Sequence, residues 1–143
     1  MKTVLNCILV AFCANVMTSC GNDNELVGTQ WYAKVVQIYP YGDSTKVYTY
    51  LDEFNFTSES DYTYSWQEKV ELYKADTLVN EQNNAAQYYS DTYTFNDDEG
   101  KMQMYGNEYN FSVTDNVLLF KQGNTIIRFG KGSVMRNDTM YMY

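Results

Sequence analysis

From Leu26 onward apolar and polar residues alternate with a period of two, and the strand-favouring residues Tyr, Thr, Val, Phe and Ile are abundant. In the run from Tyr62 to Leu72 the even positions Tyr62, Tyr64, Trp66, Val70 and Leu72 are apolar and the odd ones polar, with Glu68 the one break. A half-buried strand requires that pattern, because successive side chains point to opposite faces. Tyr48, Tyr50, Phe54 and Phe56 give the preceding segment a similar face, and Tyr109, Phe111 and Val113 alternate with Asn110 and Ser112. Turn-forming clusters separate the runs, among them Tyr41-Gly42-Asp43-Ser44, Asn96-Asp97-Asp98-Glu99-Gly100, Gly106-Asn107, Gln122-Gly123-Asn124 and Gly130-Lys131-Gly132. The pattern predicts strands over 28–38, 47–56, 61–73, 88–96, 101–106, 108–113, 117–121 and 125–130, a further strand near 133–142, and a short helix or long loop over 80–87.

Short, regular spacing between turns means consecutive antiparallel hairpins, since parallel strands need crossover helices that the pattern lacks. The expected fold is all-β, an up-and-down meander of about eight strands closed into a barrel, which removes the exposed edges of an open sheet. A β-sandwich is the alternative.

The first twenty residues follow a different rule. Lys2 precedes a mostly apolar stretch from Thr3 to Val16, interrupted by Asn6 and Asn15 and too short to span a bilayer as a helix. It closes on Met17-Thr18-Ser19-Cys20, which resembles the lipobox of bacterial lipoproteins, with Met17 where Leu is usual. The resemblance implies that residues 1–19 are a cleaved signal peptide, that Cys20 is acylated as the new N-terminus, that 20–25 form an acidic tether, and that 26–143 are a single domain outside the cytoplasm. Asp23 and Glu25 resemble the signal by which some Gram-negative bacteria send lipoproteins to the outer face of the outer membrane. The outer membrane is therefore the expected location, periplasmic or cell-surface face, and the membrane the first expected partner.

Cleavage discards Cys7, Cys13 and Lys2, so 143 less 19 leaves 124 residues, with 9 basic against 18 acidic side chains and a net charge of −9. A chain this acidic repels nucleic acid and anionic lipid, and no nucleic-acid partner is expected. With Cys20 lipidated no thiol remains, and the sequence contains no histidine. Ser-His-Asp, Cys-His and His-ligated metal chemistries are thereby excluded. Asp52, Glu53, Glu68 and Glu71 are the strand carboxylates from which an acid–base pair would be drawn, but surface solvation accounts for them at lower cost. Asp97-Asp98-Glu99-Gly100 lacks the alternating spacing of calcium loops and reads as a turn. The domain is expected to be non-catalytic, without cofactor or metal.

Leu26-Val27-Gly28-Thr29-Gln30-Trp31 resembles the opening of the lipocalin-like domains of bacterial lipoproteins, where a Gly-Thr pair precedes a Trp on the first strand. Asp52-Glu53-Phe54-Asn55-Phe56-Thr57 is similar to their Phe-rich second strand, and Tyr93-Thr94-Phe95 and Tyr109 to Phe120 to their later hairpins. The resemblance implies a calycin-like barrel in which an Arg of the last strand, here Arg128, packs over the Trp, here Trp31.

Fifteen Tyr, seven Phe and two Trp make 17% of the chain aromatic, and Tyr joins a large apolar face to a hydrogen-bonding end. Tyr48, Tyr50, Tyr62, Tyr64 and Trp66 are the candidate ligand-binding residues, lining a barrel mouth for a small apolar or sugar-like molecule. The competing reading is that they fill the barrel, with Met102 and Met104 as adaptable filler. An interaction or inhibitor module of an envelope protein complex is the alternative function. Asp43-Ser44-Thr45, Asp76-Thr77-Leu78 and Asp138-Thr139-Met140 resemble an O-glycosylation motif of exported proteins, which implies modification at Ser44, Thr77 and Thr139.

Overall fold

A computed structural model describes residues 25–137 and 139–142; the expected signal peptide, Cys20 and most of the expected tether, together with Asp138 and Tyr143, lie outside them. The described residues form eleven strands and no helix: β1 Gln30–Tyr41, β2 Ser44–Phe56, β3 Asp61–Lys74, β4 Thr77–Asn83, β5 Gln87–Asn96, β6 Glu99–Met104, β7 Asn107–Thr114, β8 Val117–Gln122, β9 Thr125–Lys131, β10 Val134–Arg136 and β11 Met140–Tyr141.

Strands β1, β2, β3, β5, β6, β7, β8 and β9 follow one another as antiparallel neighbours, and β9 returns to β1 through Trp31 opposite Lys131. The fold is therefore a closed eight-stranded up-and-down barrel, and the sandwich alternative falls away. Closure at the seam is local. Gly132 N donates to Gln30 O at 2.8 Å, and beyond that point the C-terminal strands β10 and β11 run parallel along β1 and occupy its edge. The Asn137 side chain stands in for a strand partner there, accepting from Arg128 N at 2.7 Å and donating to Arg128 O at 3.1 Å.

Two expectations are corrected. The segment over 80–87 is neither a helix nor a long loop, because β4 pairs with the upper part of β3 as an outer hairpin. Ala75 and Asp76 both take left-handed backbone angles, φ 46° and 62°, and fold the chain straight back in a two-residue turn. Every residue of β4 is exposed, so it has no buried face to imprint an alternation on the sequence. The single late strand near 133–142 is two short ones, β10 and β11.

The interior is divided along the barrel axis. At the end where β2 finishes and β9 closes on β1, Trp31, Phe54, Phe56, Tyr62, Phe111, Leu118 and Phe129 are buried, and Leu26 plugs the base from below. Phe54 lies 4.8 Å from Phe129 and 4.9 Å from Tyr64, ring centre to ring centre, and Phe56 lies 4.8 Å from Tyr93. Gly100 makes room for this packing: a Cβ there would overlap the Phe111 ring and lie 2.7 Å from the carbonyl oxygen of Thr94. The opening sequence Leu26 to Trp31 builds the plug. Gly28 N donates to Phe56 O at 2.7 Å, and the Thr29 hydroxyl donates to Leu26 O while accepting from the Trp31 indole N–H at 2.7 Å.

Candidate functional site

The other half of the barrel is open. Above the aromatic base lies a cavity of about 430 Å³, with Val35, Met104 and Ile127 among its apolar walls. Its aromatic walls are Tyr50, Tyr64, Trp66, Tyr105 and Tyr109, and Gln37, Asp52 and Gln122 supply its remaining polar groups. Of the five aromatic residues expected to bind ligand, Tyr50, Tyr64 and Trp66 line this space. Tyr62 does not: it belongs to the filled base, and its hydroxyl donates to Gln103 O at 2.5 Å. Tyr48 stacks on Tyr50 at 6.4 Å and meets the edge of Tyr39 at 5.3 Å, one step nearer the rim. The aromatic face therefore fills the lower half of the barrel and borders open space in the upper half. Met102 is core filler, whereas Met104 borders the cavity.

Asp52 is the residue that aromatic patterning missed as a member of this site. It lies on β2 in phase with Tyr48, Tyr50, Phe54 and Phe56, so strand geometry aims it inward, and the residue is only 7% exposed. Tyr64 donates its hydroxyl to Asp52 Oδ1 at 2.7 Å. Burial pushes the Asp52 carboxyl up to about 6, against the lowering effect of that hydrogen bond. The Tyr64 hydroxyl is held above its ordinary value by burial and then by the neighbouring Asp52 charge. Register also places Trp66 opposite Asp52, and Glu68 opposite Tyr50. The break at Glu68 in the β3 pattern is thus an inward carboxylate near the mouth, where Asn84 donates to Oε1 at 2.6 Å. Burial, followed by hydrogen bonding to Glu68, raises the Tyr50 hydroxyl. Glu53 and Glu71, at odd positions, fall on the outer face.

Tyr105 forms part of the rim. It sits in the turn between β6 and β7 with φ 51°, its ring 4.3 Å from that of Tyr89, and its backbone N–H donates to the Tyr89 hydroxyl at 2.9 Å. A second hollow, of about 470 Å³, lies over the outer wall of β5 to β8, bordered by the outward side chains of Thr94, Glu99, Lys101, Asn110 and Lys121. Phe95 and the buried Phe111, stacked on each other, also line it beside Gly100, so its floor is apolar and its rim polar.

The expected cation over Trp31 is present but carried by a different residue. Arg128 is exposed and alternates on β9 with the inward Ile127 and Phe129, so it faces the outer surface. Lys131, three residues on and in the inward phase, places Nζ 5.9 Å from the Trp31 ring centre at the seam. The two-residue period of the last strand, together with the Trp31–Lys131 register, carries this information. Asp97 and Asp98 form the two-residue hairpin between β5 and β6, both left-handed at φ 49° and 69°. Of the suggested modification positions, Ser44 is half-buried with its hydroxyl donating to Asp43 Oδ1 at 3.2 Å, and Thr77 and Thr139 are exposed.

No protein-family model, no curated protein and no solved structure matches the chain.

Proposed function

We propose that the protein is a non-catalytic, lipocalin-like binding module, lipid-anchored through Cys20 at the bacterial outer membrane, whose mouth cavity takes up a small molecule with an apolar or sugar-like body. The observation that carries this reading is the half-open interior. A cavity of about 430 Å³, walled by five aromatic residues and only a few polar groups, has the size and composition of small-ligand sites. Eight strands enclose just enough space either for side chains alone or for one small ligand, and here the side chains stop halfway. The tether would leave from the plugged base beside Leu26, so the mouth would point away from the membrane and towards solutes.

The test is titration of the full chain with the apolar fluorophore N-phenylnaphthylamine, with octyl glucoside as the sugar-bearing competitor. Saturable, one-site binding is expected, together with its loss in Ile127→Trp, which fills the cavity from β9. Absence of saturable binding by either compound, or undiminished binding in a folded Ile127→Trp, would refute the proposal. Mass spectrometry of the native protein reads the modification proposal directly, and unmodified peptides at Ser44, Thr77 and Thr139 would discard it.

One observation favours the alternative, a protein-interaction module. Leu51, Tyr88 and Val134 are exposed around a hollow of about 290 Å³ on the wall, Tyr88 at 81%. Exposed apolar groups gathered at one place mark contact surfaces. Loss of an envelope partner on Tyr88→Glu, with fluorophore binding intact, would support that second role.

A further inference from the structure

Among the residues lining the mouth cavity Asp52 alone carries a formal charge near neutral pH, and none is Lys or Arg. Its Oδ1 is engaged by Tyr64, and no other described donor reaches the carboxyl. Among the described residues no side-chain oxygen is both sealed from solvent and unpaired, so Oδ2 retains some access, and Asp52 lines the cavity. A carboxylate in such a place lacks a counter-charge, and burying one without a partner is costly.

The rings around it are suited to supply the rest of a site for positive charge. Tyr50, Tyr64, Trp66, Tyr105 and Tyr109 line the same space, and the faces of electron-rich rings attract cations. Glu68 adds a second inward carboxylate towards the mouth, opposite Tyr50 and one inward position beyond Trp66. The chain as a whole carries −8, which raises the local concentration of cations and lowers that of anions. An anionic ligand would meet a carboxylate that has no counter-charge, and a neutral one would leave that charge uncompensated. A hydroxyl-bearing ligand could donate to the carboxylate, but a cation also neutralises its charge and is attracted to the ring faces.

Building on the reading of the mouth as a binding site, we propose that its ligand is a small organic cation, an amine or quaternary ammonium, held by Asp52 and the surrounding aromatic rings. Tyr64 positions the carboxylate by fixing Oδ1, leaving Oδ2 for the ligand. A quaternary ammonium is accommodated by charge and ring contact alone, whereas a primary amine also donates a hydrogen bond to Oδ2.

The experiment is isothermal titration calorimetry of the full chain near neutral pH with choline and with the uncharged alcohol in which a tert-butyl group replaces the trimethylammonium. The two probes share shape and differ in charge. Choline is expected to bind at least about tenfold more tightly than the alcohol. Asp52→Asn should remove most of that difference, and Tyr109→Leu, which deletes a ring and keeps the carboxylate, should weaken choline more than the alcohol. Equal or tighter binding of the alcohol would overturn the cation assignment while leaving the mouth as a binding site. A folded Asp52→Asn protein that retains the full preference for choline would likewise overturn it. Absence of saturable binding by choline, the alcohol and N-phenylnaphthylamine together would overturn both the assignment and the proposed function.

Discussion

Replacing Asp52 by Asn should stabilise the protein, and increasingly so as the pH rises. The change keeps side-chain shape and leaves an acceptor for the Tyr64 hydroxyl, so it isolates the charge. Burial raises the Asp52 carboxyl from 3.8 to about 6, which means that the folded chain binds this proton more tightly than the unfolded chain. Below 3.8 both states are protonated and Asp52 costs little. Between 3.8 and about 6 the folded state holds more protons than the unfolded, so stability falls as pH rises through that window. Above about 6 the whole penalty is present. At 1.36 kcal/mol for each tenfold change in proton affinity it amounts to about 3 kcal/mol, and with the residue 7% exposed solvent screening removes little of it. Urea unfolding of wild type and Asp52→Asn from about pH 4 to about pH 8 measures the difference directly, since the other carboxylates titrate in both proteins and cancel. The variant should gain about 3 kcal/mol at the upper end and converge on wild type at the lower. A gap that does not change with pH, or one that widens on acidification, would refute the placement of a strained, inward carboxylate.

Three further outcomes follow from the base of the barrel and from the leader. Thr29→Val removes the acceptor of the buried Trp31 indole N–H and should cost about 1–3 kcal/mol in urea unfolding, the usual loss for an unsatisfied buried donor. Gly100→Ala forces a methyl group into the Phe111 ring and towards the Thr94 carbonyl; the cost should be about 1–3 kcal/mol, and an unchanged unfolding midpoint would contradict the packing described. Cys20→Ala should leave an unacylated precursor in the cell, detected by intact-mass measurement and by loss of partition into detergent, whereas an unchanged lipid mass would remove the anchor from the account.

Much of the barrel is legible in the sequence because each barrel strand has one buried face. The alternation in Tyr62 to Leu72 predicts β3 nearly to the residue, and the turn clusters mark the hairpins on either side of β6, β7 and β8. Strand β4 is illegible for the converse reason: with both faces in solvent, Thr77–Asn83 has no apolar period to display. The division of the interior is also hidden. Tyr62 and Tyr64 occupy the same face of one strand and look alike in sequence, yet one is packed against Phe54 and Phe56 while the other borders open space. Depth along the barrel axis decides this, and it depends on the register of all eight strands. Two polar residues in apolar phase, Asp52 and Glu68, are the local trace that the site leaves. Arg128 shows the limit of motif transfer, since the type of contact over Trp31 is present but the strand phase assigns it to Lys131.

The chain contains two tryptophans, and they divide between the two halves of the barrel: Trp66 lines the open mouth and Trp31 is sealed in the base. Nitrogen-15 NMR of their indole N–H groups, during titration with N-phenylnaphthylamine, choline and the uncharged isostere, therefore tests the central claim most directly. A ligand held in the mouth should move the Trp66 resonance saturably while the Trp31 resonance, tied to Thr29, stays in place. A Trp66 resonance unmoved by all three probes, or movement of Trp31 by the same amount, would contradict a binding site in the upper half of the barrel.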